Sequence, residues 1–581
     1  KNVLKTFKGH LGEITSLRFS KDDKQAVSTA TEGKEITWEL STGTKVSSGT
    51  TDFKPLKSTI NNSEIAYNKL SATLTSAGKS VELPHFNRVT SFGFTPDEKY
   101  AYTASPGGSL NLWHPQTGKW LAKIMITKAE ELVGINADYY FMASPSALNS
   151  IAFRYDNKMY PFEQFDLKYN RPDLFLKSIG YADKELVSAF RKAYAKRMRQ
   201  SGKQLSEKDL FTAPKLSLDY SSIDRSAVQA DYQFKVKATG SELKTLLISV
   251  NGVPAGKVEI AGTEVEIPAE IRLSEGLNLV EVAVENAKNI RSLTQNFEVR
   301  YLPQLPVRKD LYLVTIGVSE YSESDFNLTY AAKDAQDIAN VLKKQAGQYE
   351  QIHHISLLNE KVTSEAIKSL GSKLSGAGTD DQIIFFFAGH GLLSADLDYY
   401  LAAYNTNFEK PEEGGIPYES IEELLAKSPA RNKLVMIDAC HSGEVDKENT
   451  EVAATENNIL EANLVFRGFK TVKNRELGMK NTFQLMKSTF ADLRDNTGTI
   501  VISSAGGAEY ALESDQWSNG VFTYFMKEGL VNEKADLDGN GKIYAGELQQ
   551  YVAKQVSLAT DGKQQPTMRV KNLKNDMVVW Q

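Results

Sequence analysis

Two stretches decide the fold of the carboxyl-terminal half: IIFFFAGHG, residues 383–391, and LVMIDACHSG, residues 434–443. Each is an apolar run that breaks off in a polar, glycine-flanked tail, and the second holds Cys440, the single cysteine among 581 residues. Continuous apolar runs of this length suit strands buried on both faces, the habit of parallel sheets. DLYLVTIGV (310–318), IHHISLL (352–358), YYLAAY (399–404) and TIVISSA (499–505) read as further strands. AAKDAQDIANVLKKQ (331–345), TSEAIKSLGSKLS (363–375), IEELLAK (421–427) and GVFTYFMKEGLV (520–531) read as helices between or after them. The alternation predicts an α/β domain over residues 304–581, with a mostly parallel six-stranded sheet flanked by helices. Ligands of such sheets bind beyond the carboxyl ends of the strands, where His390 and Cys440 both stand.

Upstream the grammar is different. A histidine is followed 28 residues later by a tryptophan twice, His10 to Trp38 and His85 to Trp113, and Thr15-Ser16, Phe19 and Asp22 match Thr90-Ser91, Phe94 and Asp97. This pattern resembles the WD40 propeller blade. It predicts blades over residues 1–160, with a degenerate one around Leu70–Leu83, and three blades are too few to close a ring, so upstream sequence or a partner chain is expected to complete it. Residues 161–213 read as a helical connector whose basic run, Arg191, Lys192, Lys196, Arg197 and Arg199, suits a solvated face rather than nucleic acid. Period-two alternation from Pro214 to about residue 303, as in Val280, Val282 and Val284, predicts an immunoglobulin-like (Ig-like) antiparallel β-sandwich.

Composition narrows the class. A net charge of −5 and a charged fraction of 24% describe a globular protein with no general attraction to nucleic acid, and no apolar run is long enough for a membrane span. The chain starts at Lys1 with no signal-peptide pattern, so it reads as a fragment or processed form, with the cytoplasm as default compartment.

The tails of the two decisive strands carry the chemistry. A thiol is a weak nucleophile near neutral pH until an imidazole takes its proton or stabilises the thiolate. His390, fifty positions before Cys440, is the candidate acid/base, and the N–H groups of Gly391 and Cys440 are candidates for an oxyanion hole. His441 alternates to the other side of an extended segment, and His353-His354 lacks ligand partners, so all three read as structural. Asp438 falls on the same side as Cys440, where a carboxylate would repel acidic side chains and pair with Lys or Arg.

These motifs, IIFFFAGHG with LVMIDACHSG, together with DLYLVTIGVSEY, YAAKDAQDIANVL, VISSAGGAEYALES and NGVFTYFMKEGL, resemble the caspase/metacaspase clan of cysteine peptidases in its bacterial form, from about Leu311 to the carboxyl terminus. The resemblance implies a peptidase of the C14 type with a His390–Cys440 dyad. It also implies that Asp334, in an N-D-A-like segment, joins Asp438 in binding Lys or Arg before the scissile bond. Ala388 and Ala331 depart from the usual Ser and Cys. In relatives, the position of the long connection from Glu444 to about Asn496 holds a processed linker, so self-cleavage is expected there. The propeller and β-sandwich are expected to bind protein partners, and a catalytically silent scaffold is the alternative reading.

Residues 536–547, DLDGNGKIYAGE, fit the twelve-residue EF-hand loop, with Asp536, Asp538, Asn540, Lys542 and Glu547 at ligand positions and Gly541 at the sharp turn. Ca²⁺ is therefore an expected structural or regulatory ligand, with no part in the chemistry.

Overall fold

The structure, a computed structural model, describes residues 7–581 apart from 12–13, 21–23, 31–33, 51–55, 61–62, 68–71, 86–87, 127–131, 144–146, 149–150, 156, 202–212, 395–397, 443–463, 467–498, 505–510 and 571–575. It forms two compact units: Lys1–Leu148 with Tyr169–Ala182, and Asn149–Lys168 with Asp183–Gln581. Among the described residues no helix is long and apolar enough to cross a membrane.

The first unit is built from antiparallel meanders. Four strands run from Ile14–Phe19 to Lys45–Thr50, four from Leu56–Ile60 to Lys79–Leu83, and six from Ser91–Phe94 to Phe141–Ala143. The second sheet occupies the place of the degenerate blade and begins well before it. The His/Trp period has a local cause. Trp38 Nε1 donates to Ser28 Oγ at 2.6 Å, with His10 Nε2 2.8 Å from the same oxygen, and Trp113 donates to Thr103 Oγ1 at 3.0 Å. On one face of the third sheet Ala101 and Trp113 join Ile65, Leu74 and Leu83 of the second. On the opposite face lies helix Pro172–Ile179: the Phe175 ring fills the space a side chain at Gly134 would need, and Asn136 Nδ2 donates to Ser178 Oγ at 3.2 Å. The expected connector is therefore divided. Pro172–Ile179 belongs to the first unit and Lys184–Ser201 to the second, where Arg197 lies 3.6 Å from Asp166.

The module expected as an immunoglobulin-like sandwich is antiparallel apart from Ser226–Ala227, which runs parallel to Gln295–Tyr301, and it differs in its pairing. Its six strands form one hydrogen-bonded sheet rather than two, and the immunoglobulin likeness is not confirmed. The reason is a hairpin with twenty-residue arms, Asp231–Val250 and Val253–Arg272, turned at Asn251-Gly252 with φ of 53° and 73°, as a type I′ turn demands. Irregular register between Thr239 and Thr245 bends the first arm. Its first half pairs with Lys215–Leu218, its second with Gly276–Asn286, and both halves close over one core.

The carboxyl-terminal domain consists of β1 (Leu311–Gly317), α1 (Ala331–Lys343), β2 (Ile352–Leu358), α2 (Ser364–Leu374), β3 (Gln382–Leu393), α3 (Tyr418–Ala426), β4 (Asn432–Ser442), β5 (Thr499–Ser503), α4 (Val521–Val531), α5 (Ala545–Ala559) and β6 (Thr567–Val570). The sheet order is β2-β1-β3-β4-β5-β6; the first five strands are parallel and β6 is antiparallel, with two short strands, Tyr399–Leu401 and Ile416–Pro417, off the main path. Phe385, Phe386 and Phe387 are all fully buried because each face has its own cover. Ile384 and Phe386 pack with residues of α1, α4 and α5; Phe385 and Phe387 pack with residues of α2 and α3. At the end of β1, a side chain on Gly317 would stand 2.5 Å from the Ala331 carbonyl, so glycine lets α1 start against the strand.

The amino ends of β3 and β4 are gripped by the β-module. Arg431, 5% exposed, donates through one guanidinium nitrogen to Ser274 Oγ at 2.7 Å and through another to the Arg272 carbonyl. Asp380 accepts from the Ser274 side chain and the Glu275 N–H.

Candidate active site

The parallel register sets Ala388 against Asp438, Gly389 against Ala439 and His390 against Cys440. The fifty-residue spacing is the register offset itself, since Gln382 pairs with Asn432 at the other end of the same strands. Two buried strands thus deliver a histidine and a cysteine side by side at the carboxyl edge of the sheet. Gly391 lies opposite His441 and also pairs with Leu401.

His390 is 3% exposed and its ring is oriented by a backbone atom: Nε2 lies 2.8 Å from the Phe326 carbonyl. A carbonyl only accepts, so Nε2 carries the proton and Nδ1 is the basic nitrogen of the neutral ring. The backbone of His390 is fixed as well, its N–H donating to Tyr321 Oη at 3.1 Å and its carbonyl accepting from Ala402 at 2.9 Å. Phe326 closes a short 3₁₀ turn, Ser324–Phe326, in which its N–H donates to the Glu323 carbonyl.

Both predicted specificity carboxylates are fully buried, and both reach the amino-terminal end of α4. Asp438 Oδ2 accepts from Thr523 Oγ1 at 2.6 Å. Asp334 accepts from Asn519 Nδ2 at 2.7 Å and from the Gly520 N–H at 3.1 and 3.2 Å, where helix-end partial charge favours an anion. Asp337, one turn along α1, was not singled out by the sequence reading. Burial opposes its ionisation, but hydrogen bonds from Lys333, Lys527 and Asn519 outweigh that and hold its carboxyl at about 2. The Lys333/Asp337 spacing of four on a helix was the available signal. Glu513, 3% exposed, accepts from the Thr329 and Tyr330 N–H groups ahead of α1 and was equally unannounced.

The remaining expected residues lie elsewhere. His353 pairs with Asp310 at 2.8 Å and stacks on Tyr312 at 4.5 Å, and His354 lies 3.0 Å from Thr315 Oγ1. In the loop between α4 and α5, Asp536, Asp538 and Glu547 bring carboxylate oxygens within 4.8 Å of one another. Asn540 Oδ1 accepts the Lys542 N–H at 2.8 Å, and Gly541 takes φ 79°. The long connection after β4 lies outside the described residues except for strand Leu464–Phe466, which pairs with Leu512–Ser514.

Comparison with known proteins agrees with this architecture. Residues 312–578 match the model of the caspase domain, and residues 1–34 match that of the WD domain, G-beta repeat. The chain carries a caspase domain over residues 312–578 and a WD40-like amino-terminal portion. Its carboxyl-terminal half is thus a caspase-type, peptidase-like domain, and its amino-terminal portion is an interaction region of the WD40 kind. The comparison with curated proteins returns no match. Among solved structures, protein GSU0716 from Geobacter sulfurreducens is 17% identical over 45% of this chain and 92% of its own, with a TM-score of 0.31. U3-55K and the RRP9 WD40 repeats are each 12% identical over 24% of this chain, covering 56% and 53% of their own, with TM-scores of 0.15 and 0.16. At these scores the three structures carry no argument.

Proposed function

We propose that this chain is a cysteine endopeptidase that cuts proteins after Arg or Lys. Cys440 is the nucleophile and His390 the acid/base. The thiol proton passes to Nδ1, the thiolate attacks the scissile carbonyl, and the leaving amine departs with that proton; water then hydrolyses the acyl-enzyme. The N–H groups of Gly391 and Cys440 receive the oxyanion. The observation that carries the reading is the register that pairs His390 with Cys440, combined with the Phe326 carbonyl that keeps the proton on Nε2. The blades and the β-module recruit protein partners, and self-cleavage between Glu444 and Asn496 regulates access.

Asp334 and Asp438 select the basic side chain. Both already accept protein hydrogen bonds, so a substrate cation engages them only as Asn519–Thr523 yields those bonds. The same burial supports the second reading, a silent scaffold. A probe with a Lys or Arg acylating group is expected to label the wild type and not Cys440→Ala, and intact masses of the two samples read self-cleavage. No labelling, with or without calcium, selects the scaffold. In a fluorogenic peptide panel, Asp438→Asn is expected to lose about 10²-fold in kcat/KM on Lys and Arg peptides; preference for Asp-ended peptides would overturn the assignment.

Calcium completes the proposal. Three carboxylates within 4.8 Å suit one hard cation at about 2.4 Å from each oxygen, and Asp536, Asp538 and Glu547 would hold it, with Asn540 and the Lys542 carbonyl at the remaining loop positions. Its effect is to pin the start of α5. Calorimetry is expected to find one Ca²⁺ site in the wild type and none in Asp536→Ala; equal heats in both would remove calcium from the account.

A further inference from the structure

The imidazole of His390 sits in an aromatic enclosure drawn from two distant segments. Tyr321 and Phe326 lie on the loop between β1 and α1, and Phe408 lies between strand Tyr399–Leu401 and α3. Ring centroids of Tyr321 and Phe408 are 5.2 and 5.6 Å from the imidazole, the latter edge-to-face at 87°. Phe408 stacks on Phe326 at 4.0 Å and meets Tyr321 at 5.2 Å, so the three side chains support one another. Tyr321 and Phe408 are 4% and 6% exposed.

We infer that Tyr321 and Phe408 are positioning residues for His390, holding the imidazole in the one orientation that sets Nε2 against the Phe326 carbonyl. The inference rests on the proposed role of His390 as acid/base. A half-turn about χ2 would put Cε1 where Nε2 now meets that carbonyl and would turn Nδ1 away from its place. Two features oppose the turn. Phe408 lies edge-on to the imidazole, a favoured aromatic arrangement, and its stack on Phe326 holds the residue whose carbonyl is the anchor. Tyr321 fixes the other side: its hydroxyl accepts the His390 N–H, and its own N–H donates to Asn327 Oδ1 at 2.8 Å, next to Phe326. The fit also explains Gly389, where a side chain would stand 3.0 Å from both the Tyr321 hydroxyl and the Phe387 ring.

Packing alone and positioning separate in Phe408→Leu, which keeps apolar volume and loses the flat ring. Nitrogen-15 NMR of labelled histidines, with His390 assigned by its absence in His390→Ala, reads the tautomer without any need for turnover. The wild type is expected to show His390 fixed as the Nε2–H form, and Phe408→Leu to show averaging between the two tautomers. On Lys and Arg peptides Phe408→Leu is expected to lose about 10- to 100-fold in kcat with KM within about twofold. Tyr321→Phe, which deletes one neutral hydrogen bond, is expected to lose about fivefold in kcat. A Phe408→Leu protein with wild-type circular dichroism, wild-type tautomer and wild-type kcat would overturn the inference. Should the wild type cut no peptide while the tautomers behave as expected, the enclosure stands and the peptidase reading alone falls. If Phe408→Ala unfolds, Phe408→Leu still decides.

Discussion

His390→Ala is expected to lower kcat/KM on Lys and Arg peptides by about 10³- to 10⁵-fold near pH 7. The size follows from two losses. Without a neighbouring base, a thiol with pKa near 8.5 is only a few per cent thiolate, a deficit of about 30-fold. The leaving amine also loses its general acid, typically about 10²- to 10⁴-fold. The pH profile gives a second check. The wild type should show a bell, whereas the variant should gain about tenfold per pH unit up to the thiol's own pKa, because hydroxide-driven ionisation replaces the imidazole. Since the two residues act as one device, Cys440→Ala added to His390→Ala should cost no more than Cys440→Ala alone. A His390→Ala enzyme within tenfold of wild type would assign the base to another residue.

Arg431→Ala is expected to cost about 2–3 kcal/mol of stability, because it removes a buried cation's hydrogen bonds to Ser274 Oγ and the Arg272 carbonyl and takes a favourable charge from the half-buried Asp380. Burial pulls the Arg431 guanidinium down to about 10 while Asp380 works the other way, so it stays charged at neutral pH. Burial likewise raises the Asp380 carboxyl, against the Ser274 hydrogen bond, the Arg431 charge and the Glu275 N–H. A carboxyl raised on folding lends stability when protonated and loses it as pH rises through its folded value. Removing Arg431 raises it further, so the deficit should be largest at neutral pH and narrow towards pH 4. Urea unfolding of wild type and variant at pH 7 and pH 4.5 reads this directly; a deficit independent of pH would mean that lost packing, not charge, accounts for it. Arg431 and Asp380 stand just before the strands that carry Cys440 and His390, so the variant also tests whether the β-module steadies those strands.

Much of this was legible in the chain. The apolar runs ending in His390 and Cys440 fixed strand, face and sheet edge together, because a strand buried on both sides has no room for polar residues until it ends. Their spacing was informative for a reason now visible: it equals the β3–β4 register offset. The His10/Trp38 and His85/Trp113 pairs announced blades because each tryptophan needs a hydroxyl partner in the same sheet. The second sheet, Leu56–Leu83, lacks those pairs and showed only in part. Alternation announced the strands of the β-module but not their pairing, which depends on where Thr239–Thr245 bends. The anchor of His390 had no sequence signal, since it is the carbonyl of Phe326 and any residue has one. The burial of Asp334 and Asp438 was hidden too, because a pattern of types places carboxylates on a face and says nothing of the Asn519–Thr523 segment that covers them.

Helix Pro172–Ile179 has a meaning beyond its contacts. It lies on the face of the third sheet that looks away from the second, with Phe175 lodged over Gly134. In stacked-repeat architectures such an element acts as a cap: it ends the series by replacing a sticky face with a finished one. Assembly of these sheets therefore has a polarity. No further blade can be added over the helix, and a ring cannot close through this sheet while the helix is in place.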